Sequence, residues 1–231
     1  MAQRTATMTT TTPVARPEGV TDAGLMTLMR WLSPAFPLGS FAYSHGLEAA
    51  VAGGAVATAV DLRGWVGDVI VRGSGWIDAV LLSESLRPGA DHAALAALAR
   101  AMAASRERLA ETEEQGAAFV RTVNALAGRD DPPAPLPVAV GRAAAGLGVA
   151  PGTVIALYLQ AFATTIVLAG VRFMPLGQTE GAGVLEALAP VIARVAGDAV
   201  EARLAEAASS AFGADRAAMA HEAMEVRIFR T

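Results

Sequence analysis

Pro151-Gly-Thr-Val-Ile-Ala-Leu-Tyr-Leu-Gln-Ala-Phe-Ala-Thr-Thr-Ile-Val-Leu-Ala-Gly-Val-Arg-Phe173 is the stretch on which the fold turns. No charge occurs between Ala150 and Val171, so by length alone residues 153–171 could cross a bilayer. Composition points elsewhere. Gln160, Thr164 and Thr165 interrupt the run, much of it is Ala or Gly, and there is no second span. Pro151 suits the first turn of a helix and Pro175 stops one. The run predicts a long helix buried on all sides at the centre of a soluble bundle. A membrane-associated helical protein is the competing reading.

The flanking sequence reads as more helices. Leu25, Met26, Leu28, Met29 and Leu32 form an apolar stripe over 22–32, with Thr21 or Asp22 as cap. A short helix is expected over 44–51, stopped by Gly53-Gly54. Thr58 caps a third, with Leu62, Trp65, Val66, Val69 and Ile70 at helical spacing. Residues 72–75 are a break, after which a helix resumes at 76–86 with Trp76, Ile77, Val80 and Leu81 inward. Asp91 and Ser105 cap the next two, the second running from Arg106 to Ala127 with its acids early, where the helix dipole favours them. Residues 128–137, with four prolines and two aspartates, are a loop and the best candidate for an internal boundary; 138–147 is short and apolar. Gly177-Gln178-Thr179 is an unusual turn, 184–208 a helix kinked at Pro190, and 212–224 a last amphipathic piece. No alternating strand pattern occurs. The expected fold is all-α, a single domain of about eight to ten helices over 21–224 around the buried central helix. Residues 1–20, Thr/Pro-rich and without a signal-peptide core, are expected to be a disordered leader, and 225–231 a flexible tail.

Composition narrows the function. The 231 residues carry 22 acids against 18 cations, all Arg, for a net charge of −4 and a pI near 5.4. That argues against a general nucleic-acid binder. With no cysteine there are no disulfides, thiolate metal sites or cysteine nucleophiles, a pattern compatible with the cytosol. No P-loop, Rossmann fingerprint, His-Glu-x-x-His or Gly-x-Ser-x-Gly motif occurs.

One run stands apart from the Ala-rich body. Residues 33–48 hold Pro34, Pro37, Gly39 and Gly46, the aromatics Phe41 and Tyr43, and the polar Ser40, Ser44, His45 and Glu48. It reads as a shaped loop opening a short helix at about Ser44. It is either a plain connector with buried aromatics or a functional surface. His45 and Glu48, at i,i+3 on one helical face, are a weak candidate pair of metal ligands; a stable site needs three or four. Ser44, His45 and Glu48 are also the residues a small helical hydrolase would use, although neighbours on a helix point about 100° apart. His221 with Glu225, at i,i+4, is a weaker pair, and His92 is expected at the surface. A body with exposed apolar groups and no catalytic set fits an interaction protein better.

Four motifs, in order along the chain, resemble the UreF family of urease accessory proteins. They are Leu32-Ser-Pro-Ala-Phe-Pro-Leu-Gly-Ser-Phe-Ala-Tyr-Ser-His-Gly-Leu-Glu48, Glu111-Thr-Glu-Glu-Gln-Gly116, Gly177-Gln178-Thr179, and His221-Glu222 with Arg227-Ile-Phe-Arg-Thr231. Ala42, where serine is frequent, and Met224-Glu225 depart from the family pattern. The resemblance implies an all-helical, homodimeric, non-enzymatic cytoplasmic adaptor without a bound cofactor. It would bridge a UreD/UreH-type scaffold protein and the UreG GTPase in delivering nickel, the pathway's metal, to apo-urease subunits. Tyr43 and Arg230 belong, by resemblance, to the region that organises GTPase docking, and the C-terminal helix and tail order when the scaffold binds. Phe41, Tyr43, Ser44, His45, Glu48, Gln178, Arg227, Phe229 and Arg230 are the expected partner-binding residues. The tail suits that role physically, with apolar anchors Ile228 and Phe229 beside the guanidinium forks of Arg227 and Arg230.

Overall fold

The computed structural model describes residues 22–230. The expected leader, the Thr21 cap and Thr231 lie outside the described residues. The described chain is all-α. In order come α1 (Asp22–Trp31), a 3-10 turn at Ser40–Ala42, α2 (Leu47–Ala52), α3 (Ala59–Arg72), α4 (Ser74–Leu86), α5 (His92–Ala101) and α6 (Arg106–Ala127). Then follow α7 (Leu136–Ala144), α8 (Pro151–Phe173), α9 (Gln178–Glu201), a 3-10 turn at Leu204–Glu206 and α10 (Phe212–His221).

α8 is the central helix. Val154, Ile155, Tyr158, Leu159, Phe162, Ala163, Ile166 and Val167 are buried in it, each large side chain contributing about 1.5–3 kcal/mol. It lies mainly along α9, with α4, α3 and α2 around it. Gly170 is a point of close approach: a Cβ there would stand 2.9 Å from a Leu62 methyl. Among the described residues α8 is the one helix long and apolar enough to cross a membrane. Burial on all sides is not what is found, because only half of its most apolar window is inside. The Thr164 and Thr165 hydroxyls donate to the carbonyls of Gln160 and Ala161 one turn back, at 2.7 and 3.2 Å, so the outer stripe satisfies its own polar groups.

Local signals place most boundaries. Thr58 and Asp61 cap each other's backbone at the start of α3, the Asp91 carboxylate accepts two amides at α5, and the Ser105 hydroxyl accepts the Arg108 N–H at α6. Gly73 breaks α3 from α4 and leaves the Arg72 carbonyl to accept the Ser210 and Ala211 amides at 2.7 and 3.2 Å. That contact, with the Trp76 indole donating to the Glu206 carbonyl at 2.7 Å, lays the C-terminal segment onto the body. Trp76 is thus half-buried at the edge of the core.

Three expectations need correction. The proline-rich run is no boundary: α7 begins within it, Ala134 is buried, and the segment crosses directly over Gly116 of α6. α9 starts at Gln178, because the Glu180 carboxylate reaches back to the Gly177 N–H at 2.8 Å, and it passes Pro190 to end at Glu201. The short helix α2 starts at Leu47, three residues after Ser44. His45 and Gly46 both adopt left-handed backbone, at φ 54° and 74°, which no right-handed helix includes.

Candidate partner-docking site

The site is organised by one face of α6. Glu107, Glu111 and Glu114 fall at i, i+4 and i+7, so their carboxylates form a single stripe. Each is answered by a cation or ring from another part of the chain. Glu111, at the middle and buried, meets His45 Nε2 at 2.9 Å and Arg108 at 3.0 Å. Arg108 continues to Asp78 of α4 at 2.6 Å, and Asp78 accepts the Tyr158 hydroxyl of α8, also at 2.6 Å. Burial alone would raise the Glu111 carboxyl, but the His45 imidazole and the Arg108 guanidinium outweigh it and bring the pKa down to about 2. This buried network fixes the 43–46 loop against the core; His45 is further held against the Phe162 ring, 4.5 Å between centroids.

Gly46 then does what only glycine can. Its φ is +74°, and a Cβ would stand 2.6 Å from the Ala218 nitrogen. Its bare backbone lets α10 sit directly on the start of α2. At the end of α10, His221 is fully buried, Nδ1 2.7 Å from Glu107 and Nε2 3.1 Å from Glu48.

The tail doubles back from there across the motif. Glu48 Oε1 accepts the Ile228 N–H at 2.8 Å, Oε2 accepts the Phe229 N–H at 2.9 Å, and the Ala42 carbonyl accepts the Arg230 N–H at 2.7 Å. Burial works to raise the Glu48 carboxyl, but the two amides and His221 hold it below the usual range. Phe229 is buried against Phe173, 5.4 Å between centroids, with the Arg172 guanidinium 5.0 Å from its ring. Arg227 pairs with Glu107 at 2.6 Å.

Arg230 completes the surface. Its guanidinium pairs with Glu114 at 2.7 Å and lies 5.8 Å from the Tyr43 ring centroid; the Tyr43 hydroxyl donates to the same carboxylate at 2.7 Å. Burial and the Glu114 carboxylate push the Tyr43 phenol well above its usual pKa, so it remains a donor. Tyr43, Arg106, Glu107, Glu114, Arg227 and Arg230 line an open groove of about 370 Å³.

Of the residues singled out by sequence, Tyr43, Glu48, Arg227, Phe229 and Arg230 converge here, with Ser44 and His45 buried beneath. Phe41 and Gln178 do not: they share a second groove, of about 170 Å³, with Leu168 and Arg172, and the Arg172 guanidinium donates to the Phe41 carbonyl at 2.7 Å. The helical face proposed for His45 and Glu48 does not form, since His45 lies outside α2 and turns to Glu111 while Glu48 turns to the tail. Among the described residues no set of three or more His, Asp or Glu is arranged to hold a metal ion. His221 finds Glu48 and Glu107 instead of Glu225, and His92 is half-buried, 2.9 Å from the Ser85 carbonyl. Sequence reading left Glu107, Glu114 and His221 out of the partner-binding set, although Glu114 and His221 lie in the quoted motifs and His221 was paired there with Glu225. The i, i+4, i+7 spacing of the α6 acids was the available signal.

The comparisons agree with the motifs. The UreF family model matches residues 56–189. A urease accessory protein UreF of Cereibacter sphaeroides is 57% identical over 210 residues, covering 91% of this chain and all of that protein. The urease accessory protein UreF of Paracoccus denitrificans is 50% identical over 224 residues, covering 97% of this chain and all of its own length. That of a Jannaschia species is 46% identical, over 93% of this chain and 99% of its own. With matches of this identity along nearly the whole chain, and an all-α body in which the first and last motifs meet at one surface, the chain belongs to the UreF family of urease accessory proteins.

Proposed function

We propose that this chain is a non-enzymatic cytoplasmic adaptor of urease maturation. It docks a UreG-type GTPase at the Tyr43–Glu114–Arg230 surface and a UreD/UreH-type scaffold along α10 and the tail, in a complex that passes nickel, as cargo, to apo-urease subunits. A homodimer is the proposed working form. The observation that carries this reading is the composite surface itself: a tyrosine from the opening motif and an arginine from the tail meet over one carboxylate, beside an open groove. Tyrosine and arginine are the side chains richest in binding energy at interfaces. Along the scaffold face, Phe212, Met219, Val226 and Ile228 stand exposed, Ile228 at 65%. Large apolar groups this open favour a covering partner. A catalytic role for Ser44, His45 and Glu48 finds no support, because Ser44 is fully buried and Glu48 is saturated by tail amides.

The test is a pull-down with this chain from a lysate expressing a whole urease gene cluster. Recovery of scaffold, GTPase and urease subunits is expected. Deleting 226–231 abolishes scaffold capture, and Tyr43→Ala or Arg230→Ala lowers GTPase recruitment, with circular dichroism unchanged. Normal capture by all three variants would refute the assignment.

A further inference from the structure

The geometry points to Glu48 and His221 as positioning residues of the docking surface, acting through Arg230 without touching the partner. This rests on the docking function proposed above. Glu48 is only 6% exposed and His221 is not exposed at all, so neither offers a surface to another protein. What they do is fix the register of the tail. Three consecutive amides, at 228, 229 and 230, are each taken by an acceptor of the opening motif, two of them by the two oxygens of Glu48. The tail bends at 228 and 229, so that consecutive N–H groups converge on one carboxylate, and the bend leaves Ile228 exposed, Phe229 buried and Arg230 exposed. Without that grip Phe229 would leave its seat against Phe173 and the Arg230 guanidinium would move away from Glu114 and Tyr43.

His221 secures the same carboxylate from behind. Its Nε2 faces Glu48 and its Nδ1 faces Glu107, and Glu107 in turn holds Arg227 at 2.6 Å. The clasp thus grips the tail on both sides of residue 228, from α2 and from α6. Three donors converge on Glu48, two of them backbone. A glutamine there would offer one oxygen and one NH₂ in the same volume, so an N–H must face an N–H. Charge-assisted hydrogen bonds of this kind are among the strong ones, and an N–H facing no acceptor loses more than an average bond.

The experiment uses the full chain in complex with its UreD/UreH-type scaffold, and purified UreG-type GTPase, with Glu48→Gln, Arg230→Ala and the double variant. Glu48→Gln is expected to speed amide exchange over 226–230 at least about tenfold, leave exchange in α8 unchanged, and weaken GTPase capture about tenfold. In the Arg230→Ala background the same substitution is expected to change capture less than about twofold, because a residue that acts only through Arg230 has nothing left to position. A merely structural role would give additive losses and faster exchange in α8. Should Glu48→Gln raise exchange in α8 as well, His221→Gln is put through the same two measurements and decides. Unchanged exchange over 226–230, or additivity in the cycle, overturns the proposal. Arg230→Ala with undiminished capture refutes the docking function itself. Loss of capture in Arg230→Ala but not in Glu48→Gln or His221→Gln refutes the positioning role alone.

Discussion

Replacing Gly46 by alanine tests the seat of the C-terminal helix. Two costs act there. The left-handed backbone at φ +74° disfavours any residue with a Cβ by roughly 1–2 kcal/mol. The new methyl would also stand 2.6 Å from the Ala218 nitrogen and 3.0 Å from the Ala217 carbonyl carbon, both backbone atoms that no rotamer change can move aside. Overpacking of that kind costs about 1–3 kcal/mol, so the total is about 2–5 kcal/mol. Gly54 supplies the control, since it shares φ +74° but has nothing within 4 Å of its Cβ position. Gly54→Ala is expected to cost the backbone share alone, about 1–2 kcal/mol. Urea unfolding reports global stability, and amide exchange over Phe212–His221 reports whether α10 lifts. Gly46→Ala should raise exchange in α10 and in the tail beyond it, while Gly54→Ala should not. Equal effects of the two substitutions, with α10 exchange unmoved, would refute the close approach.

Three further outcomes are expected. Arg108→Met leaves Asp78 and Glu111 without their shared guanidinium in the core and should cost about 3–5 kcal/mol in urea unfolding; a loss under about 1 kcal/mol would mean the network relaxes freely. The Glu111 carboxyl is depressed on folding from its ordinary 4.5 to about 2, so the stability it contributes is fully present above the unfolded value and is lost as pH falls from 4.5 toward 2. A carbon-13 titration that finds Glu111 protonating near 4.5 would remove that contribution. Ser105→Ala strips the cap of α6 and should cost about 1 kcal/mol, read as a lower urea midpoint with an unchanged slope.

The body was legible in the sequence because its signals are local. Asp91 and Ser105 sit one residue ahead of the helices they cap, Thr58 and Asp61 form a box within four residues, and Pro151 opens α8 where proline is tolerated. The start of α9 escaped notice because its cap is a glutamate reaching back to a glycine that has no side chain of its own. The left-handed His45 escaped for a different reason: Glu111 and Phe162, which help hold it there, lie far along the chain. The docking surface was half legible. Its two ends stood out as unusual stretches, but nothing in either end tells that Glu48 accepts amides 180 and 181 residues away.

Those separations give the surface an order of appearance. Tyr43 and Glu48 leave the ribosome early, and the segments that complete them come some 180 residues later, after every helix of the body. At about 5–20 residues per second, that gap lasts many seconds. Closing so long a loop is slow and entropically costly until the intervening helices have folded and brought its ends together. Arg230 therefore reaches Tyr43 only in a chain whose core is already assembled. A nascent or misfolded copy presents the tyrosine without its arginine, and the composite surface doubles as a certificate that the helical body has folded.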